Sequence, residues 1–332
     1  MMHIRFLRSC ATRYKAVAAA LLMVPALIPA ADAQDWPART VRIIAPSSPG
    51  SGVDIVSRLV AQKLSANLGQ QVVVDNRAGA GGNLGAEIAA KAAADGYTLF
   101  MATPSFAINP ALYGRLNYDA VRDFAPISLV MTGQYILIAH PSLPVKNVRE
   151  MVALAKARPG ELNYASAGNG NPTHMAGELL KSMMKINIVH IPYKGSGPAL
   201  TDVLSGQMQI MFGNLVNTLP HVNSGKLRAL AVTGARRAGS APAVPTMSES
   251  GVTGYSVASW YGLLAPAGTP SPALSRINSE LAKAVTAPDV AGKLTAQGAD
   301  PAAGSAEAFR VFLGEEVAKW GKVIRAAGIT AN

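Results

Sequence analysis

Ala45-Pro46-Ser47-Ser48-Pro49-Gly50-Ser51-Gly52-Val53-Asp54 is the stretch that decides the fold, because it joins a short apolar run to a stretch with helical spacing. The second half of the chain contains another such turn, Ala165-Ser166-Ala167-Gly168-Asn169-Gly170-Asn171-Pro172-Thr173-His174. Turns of this kind leave backbone N–H groups unpaired at a helix start, where the helix macrodipole also favours negative charge. The two turns together predict a pair of surfaces that close on an anion.

Short β-branched runs alternate with stretches of helical spacing on both sides of these turns. Such alternation is typical of α/β folds with mostly parallel sheets. Apolar residues at consecutive positions, as in 41–45, indicate sheets that are covered on both faces. The sequence therefore predicts an α/β fold with two lobes joined by strands that cross between them. The predicted strands are 41–45, 72–76, 98–102, 124–140, 162–165, 188–193, 209–212, 229–233 and 259–267, and the predicted helices are 53–68, 84–94, 147–157, 173–184, 197–204, 216–222, 271–286, 288–297 and 306–327.

Residues 1–33 are typical of a cleaved secretory signal peptide. Basic residues precede an apolar stretch, and Ala31-Asp32-Ala33 offers a cleavage site. The single cysteine, Cys10, falls within this leader, which excludes disulfides, thiolate metal sites and cysteine nucleophiles from the mature chain. We therefore expect an exported protein.

The charge of the chain favours small anions over nucleic acids as partners. The formal net charge is +11, but the basic residues are scattered and aromatic residues make up only 6% of the chain. Nucleic-acid binding calls for clustered bases interleaved with aromatic side chains. The excess of positive charge is better interpreted as a weak attractive field for small anions.

A dinucleotide site is a competing interpretation of the first turn. Asp75 ends the next strand, where a ribose-binding acid belongs, but Ile55 stands where the pattern after Gly50 and Gly52 requires a third glycine. The sequence therefore predicts no cofactor.

Catalytic and metal-binding sites receive little support from the histidines. His174 suggests a general base, but the chain has no G-x-S-x-G nucleophile elbow, and a histidine at this position more often donates a hydrogen bond or packs. The remaining histidines of the mature chain, His140, His190 and His221, lack the spacing of metal ligands. We predict neither catalytic nor metal-binding residues, and keep an exported hydrolase of small carboxylic esters or amides as the alternative function.

Three further turns follow predicted strands, and ligands of open α/β sheets sit beyond the carboxyl ends of the strands. These turns are Thr103-Pro104-Ser105, Tyr193-Lys194-Gly195-Ser196-Gly197 and Gly213-Asn214. Lys194 is a candidate charge partner for a carboxylate. The glycine-rich stretch 79–83 lacks the G-K-[ST] of a phosphate loop and is interpreted as a tight turn with a helix cap.

An ordered set of motifs along the mature chain resembles the substrate-binding proteins of tripartite tricarboxylate transporters, the Bug or TctC family. The motifs are Trp36-Pro37, Pro49-Gly50 with Asp54, Val74-Asp75-Asn76-Arg77-x-Gly79-Ala80-Gly81-Gly82, Asp95-Gly96-Tyr97-Thr98-Leu99, Ser166-x-Gly168-x-Gly170-x-x-x-His174, Pro192-Tyr193-Lys194-Gly195, Gly225-Lys226-Leu227-Arg228-Ala229-Leu230-Ala231-Val232, Val244-Pro245-Thr246-Met247 and Leu264-Ala265-Pro266-Ala267-Gly268-Thr269-Pro270.

The resemblance implies a periplasmic binding protein of the Venus-flytrap type that closes around a small carboxylate. Lobe 1 would comprise 34–140 and about 259–332, and lobe 2 would comprise 141–258. The partners implied are the carboxylate and inner-membrane transporter subunits or a sensor kinase, with the receptor a monomer. The ligand-binding residues implied are Ser47, Ser48, Gly50 and Gly52 in one lobe, Ser166, Gly168, Gly170 and Thr173 with His174 in the other, and Thr103, Ser105, Tyr193 and Asn214, which set ligand shape.

Two positions depart from the family pattern. Many relatives have glycine where Ser51 stands, so this hydroxyl is expected to contact the ligand. Many also have an acid where Gly213 stands, and its loss removes a charge that could meet an ammonium group. We therefore expect a ligand without an amine, such as an aliphatic or aromatic dicarboxylate.

Overall fold

The structure is a computed structural model that describes residues 36–193, 195–296 and 298–330, with only the backbone of residues 216 and 327. The predicted signal peptide and Lys194 lie outside these residues. The backbone divides into a short unit, Met1–Ala38, and a large unit, Arg39–Asn332. The large unit carries the strands β1 Val41–Ala45, β2 Val72–Asn76, β3 Thr98–Ala102, β4 Phe124–Ala139, β5 Asn163–Ser166, β6 Val189–Pro192, β7 Ile210–Asn214, β8 Arg228–Val232, β9 Ala258–Pro266 and β10 Ala299–Pro301.

The helices of the large unit follow the strands in the alternation that the sequence predicts. They are α1 Gly52–Leu68, α2 Asn83–Ala90, α3 Pro104–Leu112, α4 Val148–Ala157, α5 Pro172–Met184, α6 Ser196–Leu204, α7 Leu215–Asn223, α8 Ser271–Thr286, α9 Pro288–Ala296 and α10 Ala306–Ala327.

Two groups of strands meet at β4, the longest strand. In the first group β1 pairs in parallel with β2 and β3, and β9 then joins β3 antiparallel. In the second group β5 pairs in parallel with β6 and β7. Residues 124–134 of β4 pair with β9 and residues 131–133 also pair with β10, while the last five residues of β4 pair with β7 and β8. The α/β, two-lobed fold predicted from the sequence is confirmed.

Buried aromatic residues anchor the central strands. Trp260 on β9 and Trp320 on α10 are fully buried, and both indole N–H groups donate to Glu316 at 3.2 Å. A buried carboxylate is costly unless hydrogen bonds compensate for its desolvation. Glu316 therefore fixes α10 against β9 through Trp260. None of the described helices is long and apolar enough to span a bilayer.

The structure corrects the sequence prediction in several places. Helix α2 ends at Ala90 rather than at the predicted residue 94. Thr103-Pro104-Ser105 is not a free turn, because Thr103 is the N-cap residue of α3 and Pro104 is its first helical residue. The short strand β10 was not predicted, and it lies antiparallel to residues 131–133 of β4. Strand β10 thus lies beside the part of β4 where the two strand groups meet.

Candidate functional site

The first turn is organised by the buried carboxylate of Asp54. This carboxylate accepts hydrogen bonds from the Gly50 amide at 2.8 Å, from Asn76 Nδ2 at 2.9 Å and from Arg58 Nε at 3.1 Å. Burial raises the pKa of Asp54, but the hydrogen bonds from Arg58, Gly50 and Asn76 outweigh burial and hold the pKa below its usual value. The carboxylate thus stays ionised and holds the turn against β2. The Gly50 amide already has this carboxylate as its acceptor.

The hydroxyl groups of the first turn also bond within it. Ser51 Oγ accepts the Asp54 amide at 3.3 Å, which caps α1, and it hydrogen-bonds to Ser47 Oγ. The amides of Gly52 and Val53 have no acceptor inside the helix, because they belong to its first turn. The Ser51 amide, by contrast, donates to the Ser48 carbonyl at 3.3 Å.

Side chains of the second turn accept hydrogen bonds from the backbone amides of the same turn. Gly168 N donates to Ser166 Oγ at 3.1 Å, Ala167 N to Thr173 Oγ1 at 3.0 Å, and Gly170 N to His174 Nδ1 at 3.1 Å. A Cβ at Gly170 would collide with Leu112 at the end of α3. The second turn therefore packs against α3 and has a fixed conformation.

Two stacked imidazoles lie beneath the second turn. The rings of His174 and His190 are 3.9 Å apart and nearly parallel, and Tyr164 stacks on His190. Burial lowers the pKa of both histidines, and His174 and Lys181 lower the pKa of His190 further, to about 3. Both rings are therefore neutral near pH 7.

Ser166 Oγ and His190 Nε2 are 2.6 Å apart, which is the spacing of a nucleophile and its base. A histidine with a pKa of about 3 is a poor base at neutral pH, because it binds the abstracted proton weakly. The pair instead contributes a partly buried hydrogen bond that ties β5 to β6. In the described part of the chain no three histidine, cysteine or acidic side chains come together as a metal site.

A cleft lies where the starts of α1 and α7 face the middle of β4. Polar and apolar side chains and several glycines line it together. Among the described residues that line it, none carries a charge. The lining residues are Gly50, Gly52, Ile55, Val56, Met131, Gly133, Gln134, Asn214, Leu215, Asn217, Ser259, Tyr261, Gly298 and Ala299.

Three of the predicted ligand-binding residues, Gly50, Gly52 and Asn214, meet in this cleft. The others lie elsewhere: Thr103 caps α3, and Tyr193 donates to Asp202 Oδ2 at 2.6 Å. The predicted residues that do not line the cleft are Ser47, Ser48, Ser51, Thr103, Ser105, Ser166, Gly168, Gly170, Thr173, His174 and Tyr193.

Four polar residues of the cleft are absent from the sequence-based prediction: Gln134, Asn217, Ser259 and Tyr261. Gln134 lies on β4, while Ser259 and Tyr261 lie on β9, inside strands rather than at their ends. Sequence reasoning searched the turns beyond strand ends and so passed over them. The alternate spacing of Ser259 and Tyr261 puts them on one face of β9, but the sequence does not show what that face meets.

Comparison with known proteins finds relatives that cover almost the whole chain. A family model described as the tripartite tricarboxylate transporter family receptor matches residues 56–329. BugT of Bordetella pertussis is 36% identical over 319 residues, which cover 96% of this chain and 98% of BugT. A solved R. palustris protein with adipate is 37% identical with a TM-score of 0.83, covering 89% of this chain and 99% of that one. MatC from Rhodopseudomonas palustris with bound malate is 32% identical with a TM-score of 0.79, covering 87% and 99%.

Proposed function

We propose, since this chain belongs to the tripartite tricarboxylate transporter family of receptors, that it captures a small dicarboxylate or aromatic carboxylate and delivers it to a membrane transporter of that type. The family consists of substrate-binding receptors and not of enzymes, which removes the hydrolase as a candidate function. Relatives solved with adipate and malate support a carboxylate ligand. Capture in the periplasm by a monomer, with a sensor kinase as a second recipient, belongs to the same proposal.

The observation that carries this proposal is the uncharged cleft between two helix starts. Gly52 opens α1 on one side, and Asn214 with Leu215 opens α7 on the other. Each helix start presents backbone amides together with the positive end of its dipole. A carboxylate can be bound there without a cationic side chain.

We propose the lobe boundaries that the family resemblance implies, with 34–140 and about 259–332 in lobe 1 and 141–258 in lobe 2. The two strand groups that meet at β4 support this division. We also retain the two glycine-rich turns as the halves of the carboxylate clamp. In that arrangement the second turn would reach the ligand on closure of the lobes.

A thermal-shift experiment tests the proposal. The purified protein is heated with adipate, malate, terephthalate, benzoate or aspartate, each at several concentrations. A bound acid is expected to stabilise the folded state by about 2.7 kcal/mol at a hundredfold excess over its dissociation constant. Aspartate should give no shift, because this chain has glycine at position 213, where many relatives have an acid that could pair with the ammonium group. If none of the acids raises the melting temperature, the proposal is wrong, and if aspartate alone raises it, the exclusion of amines is wrong.

A further inference from the structure

One face of the ribbon formed by β4 and β9 is the floor of the cleft. Met131 pairs with Tyr261, and Gly133 pairs with Ser259. Side chains at alternate positions of a strand point to the same face of the sheet. These four residues all line the cleft, whereas Trp260 between them is buried and donates to Glu316 on the opposite side.

One polar side chain of this region, Gln134, already has its partners. Gln134 Oε1 accepts a hydrogen bond from the Gly234 amide at 3.1 Å, and Gln134 Nε2 donates to the Arg236 carbonyl at 2.9 Å. Gln134 therefore ties β4 to the segment that follows β8.

The Tyr261 hydroxyl differs from the Gln134 amide. In the described part of the chain no protein group hydrogen-bonds to it, although the side chain is half-buried. A partly buried hydroxyl without a hydrogen-bond partner is costly. A ligand that supplies an acceptor would remove this cost and so bind more tightly. Burial also raises the pKa of Tyr261 to about 12, so the hydroxyl keeps its proton near neutral pH.

The hydroxyl lies over the first turn of α1. A Cβ built on Gly52 would be 2.9 Å from Tyr261 Oη and 4.0 Å from Cζ, so only the hydroxyl oxygen approaches the turn closely. The Gly52 and Val53 amides, which lack acceptors within the helix, belong to the same turn. An oxygen atom placed there could accept from the phenol and from the helix start together.

We propose that the Tyr261 hydroxyl donates a hydrogen bond to the ligand carboxylate at the start of α1, which makes Tyr261 a specificity-determining residue that the glycine-rich turns do not include. This inference rests on the proposed carboxylate-binding function. The hydroxyl supplies a neutral donor from β9. The ligand is thus bound by the floor of the cleft as well as by the helix starts at its sides.

Tyr261→Phe tests the inference, with isothermal titration of whichever acid of the panel gives the largest thermal shift. Loss of a hydrogen bond to a charged group should weaken binding about 10- to 100-fold. Tyr118→Phe is the matched control, because Tyr118 bonds to Asn83 Oδ1 at 2.7 Å and does not line the cleft. The control should change stability and leave the affinity unchanged. Circular dichroism spectra establish that both variants fold.

Gly52→Ala provides a second, independent test. The added methyl displaces the Tyr261 hydroxyl, so binding should weaken when Tyr261 is present. In Tyr261→Phe the conflicting oxygen is gone, and Gly52→Ala should then have a much smaller effect, so the two changes are not additive. Unchanged affinity in Tyr261→Phe, or additive effects, would overturn the inference while the proposed function stands. Absence of binding by the unmodified protein would overturn both.

Discussion

Gly213, at the end of β7, has no room for a side chain. A Cβ at this position would lie 2.5 Å from Thr218 Oγ1, and that hydroxyl donates to the Asn214 carbonyl in the first turn of α7. The residue that departs from the family pattern is therefore also a packing requirement. An acid placed here would have to displace Thr218 before it could reach a ligand.

Gly213→Ala should lower the free energy of unfolding by about 1–3 kcal/mol, because the methyl overpacks a buried contact. In a Thr218→Ala background the loss should be less than half as large, since the conflicting oxygen is absent. Urea unfolding measures both values. Gly314→Ala is the control, because a Cβ there meets no atom within 4 Å and alanine favours the helix. Equal losses in the two backgrounds would contradict the assignment.

The turn before α5 depends on its two stacked histidines as a unit. The pKa of each is lowered by burial, so the folded state favours the neutral rings. The unfolded chain binds these protons near pH 6.5, and the folded chain binds them only at lower pH, about 3 for His190. Their contribution to stability is therefore complete above pH 6.5 and is lost progressively as the pH falls below it.

His190→Gln should make the pH dependence of unfolding shallower. Each such histidine can add at most about 1.4 kcal/mol per pH unit to the slope below pH 6.5. Urea unfolding between pH 7.5 and 4.5 (values chosen to span about two units below the unfolded pKa) should show a smaller decline for the variant. His221→Gln, which is outside the stacked pair, should follow the unmodified protein. Parallel curves for all three proteins would refute this role of the stack.

Strands and helices with a clear apolar period could be predicted from the sequence, and β1, β2 and β3 have the predicted bounds. Helix α3 was missed because Thr103-Pro104-Ser105 is typical of a turn and Pro110 interrupts its pattern. Strand β10 has three residues and no apolar run, so only its pairing with β4 defines it. The roles of Gln134 and Tyr261 in the cleft depend on two crossing strands meeting, which no local pattern encodes.

At the scale of the whole molecule, the strand groups are joined where three chain segments meet at Thr233. The hydroxyl of this fully buried residue accepts a hydrogen bond from the Tyr135 amide at 2.9 Å and donates one to the Val257 carbonyl at 2.7 Å. Its backbone amide donates to the Tyr135 carbonyl at 2.9 Å. One side chain thus links the segments that run between the proposed lobes.

Thr233→Val should lower the free energy of unfolding by about 1–3 kcal/mol, because it leaves the buried Tyr135 amide without an acceptor. Thr233→Ser keeps the hydroxyl and should retain most of the stability. Urea unfolding with fluorescence and circular dichroism as parallel probes measures the change and tests whether the lobes still unfold together. If serine and valine destabilise equally, the methyl group and not the hydroxyl is what matters.

Around the cleft, the two faces of the β4–β9 ribbon have different neighbours. Met131, Gly133, Ser259 and Tyr261 line the cleft, as does Gln134, while Trp260 on the other face is anchored to α10 through Glu316. If the proposed function holds, substitutions at 131, 259 or 261 should change ligand selectivity without disturbing the contact between Trp260 and Glu316. With such a ribbon, related receptors can evolve different ligand preferences by single substitutions on one face while the buried core on the other face is retained.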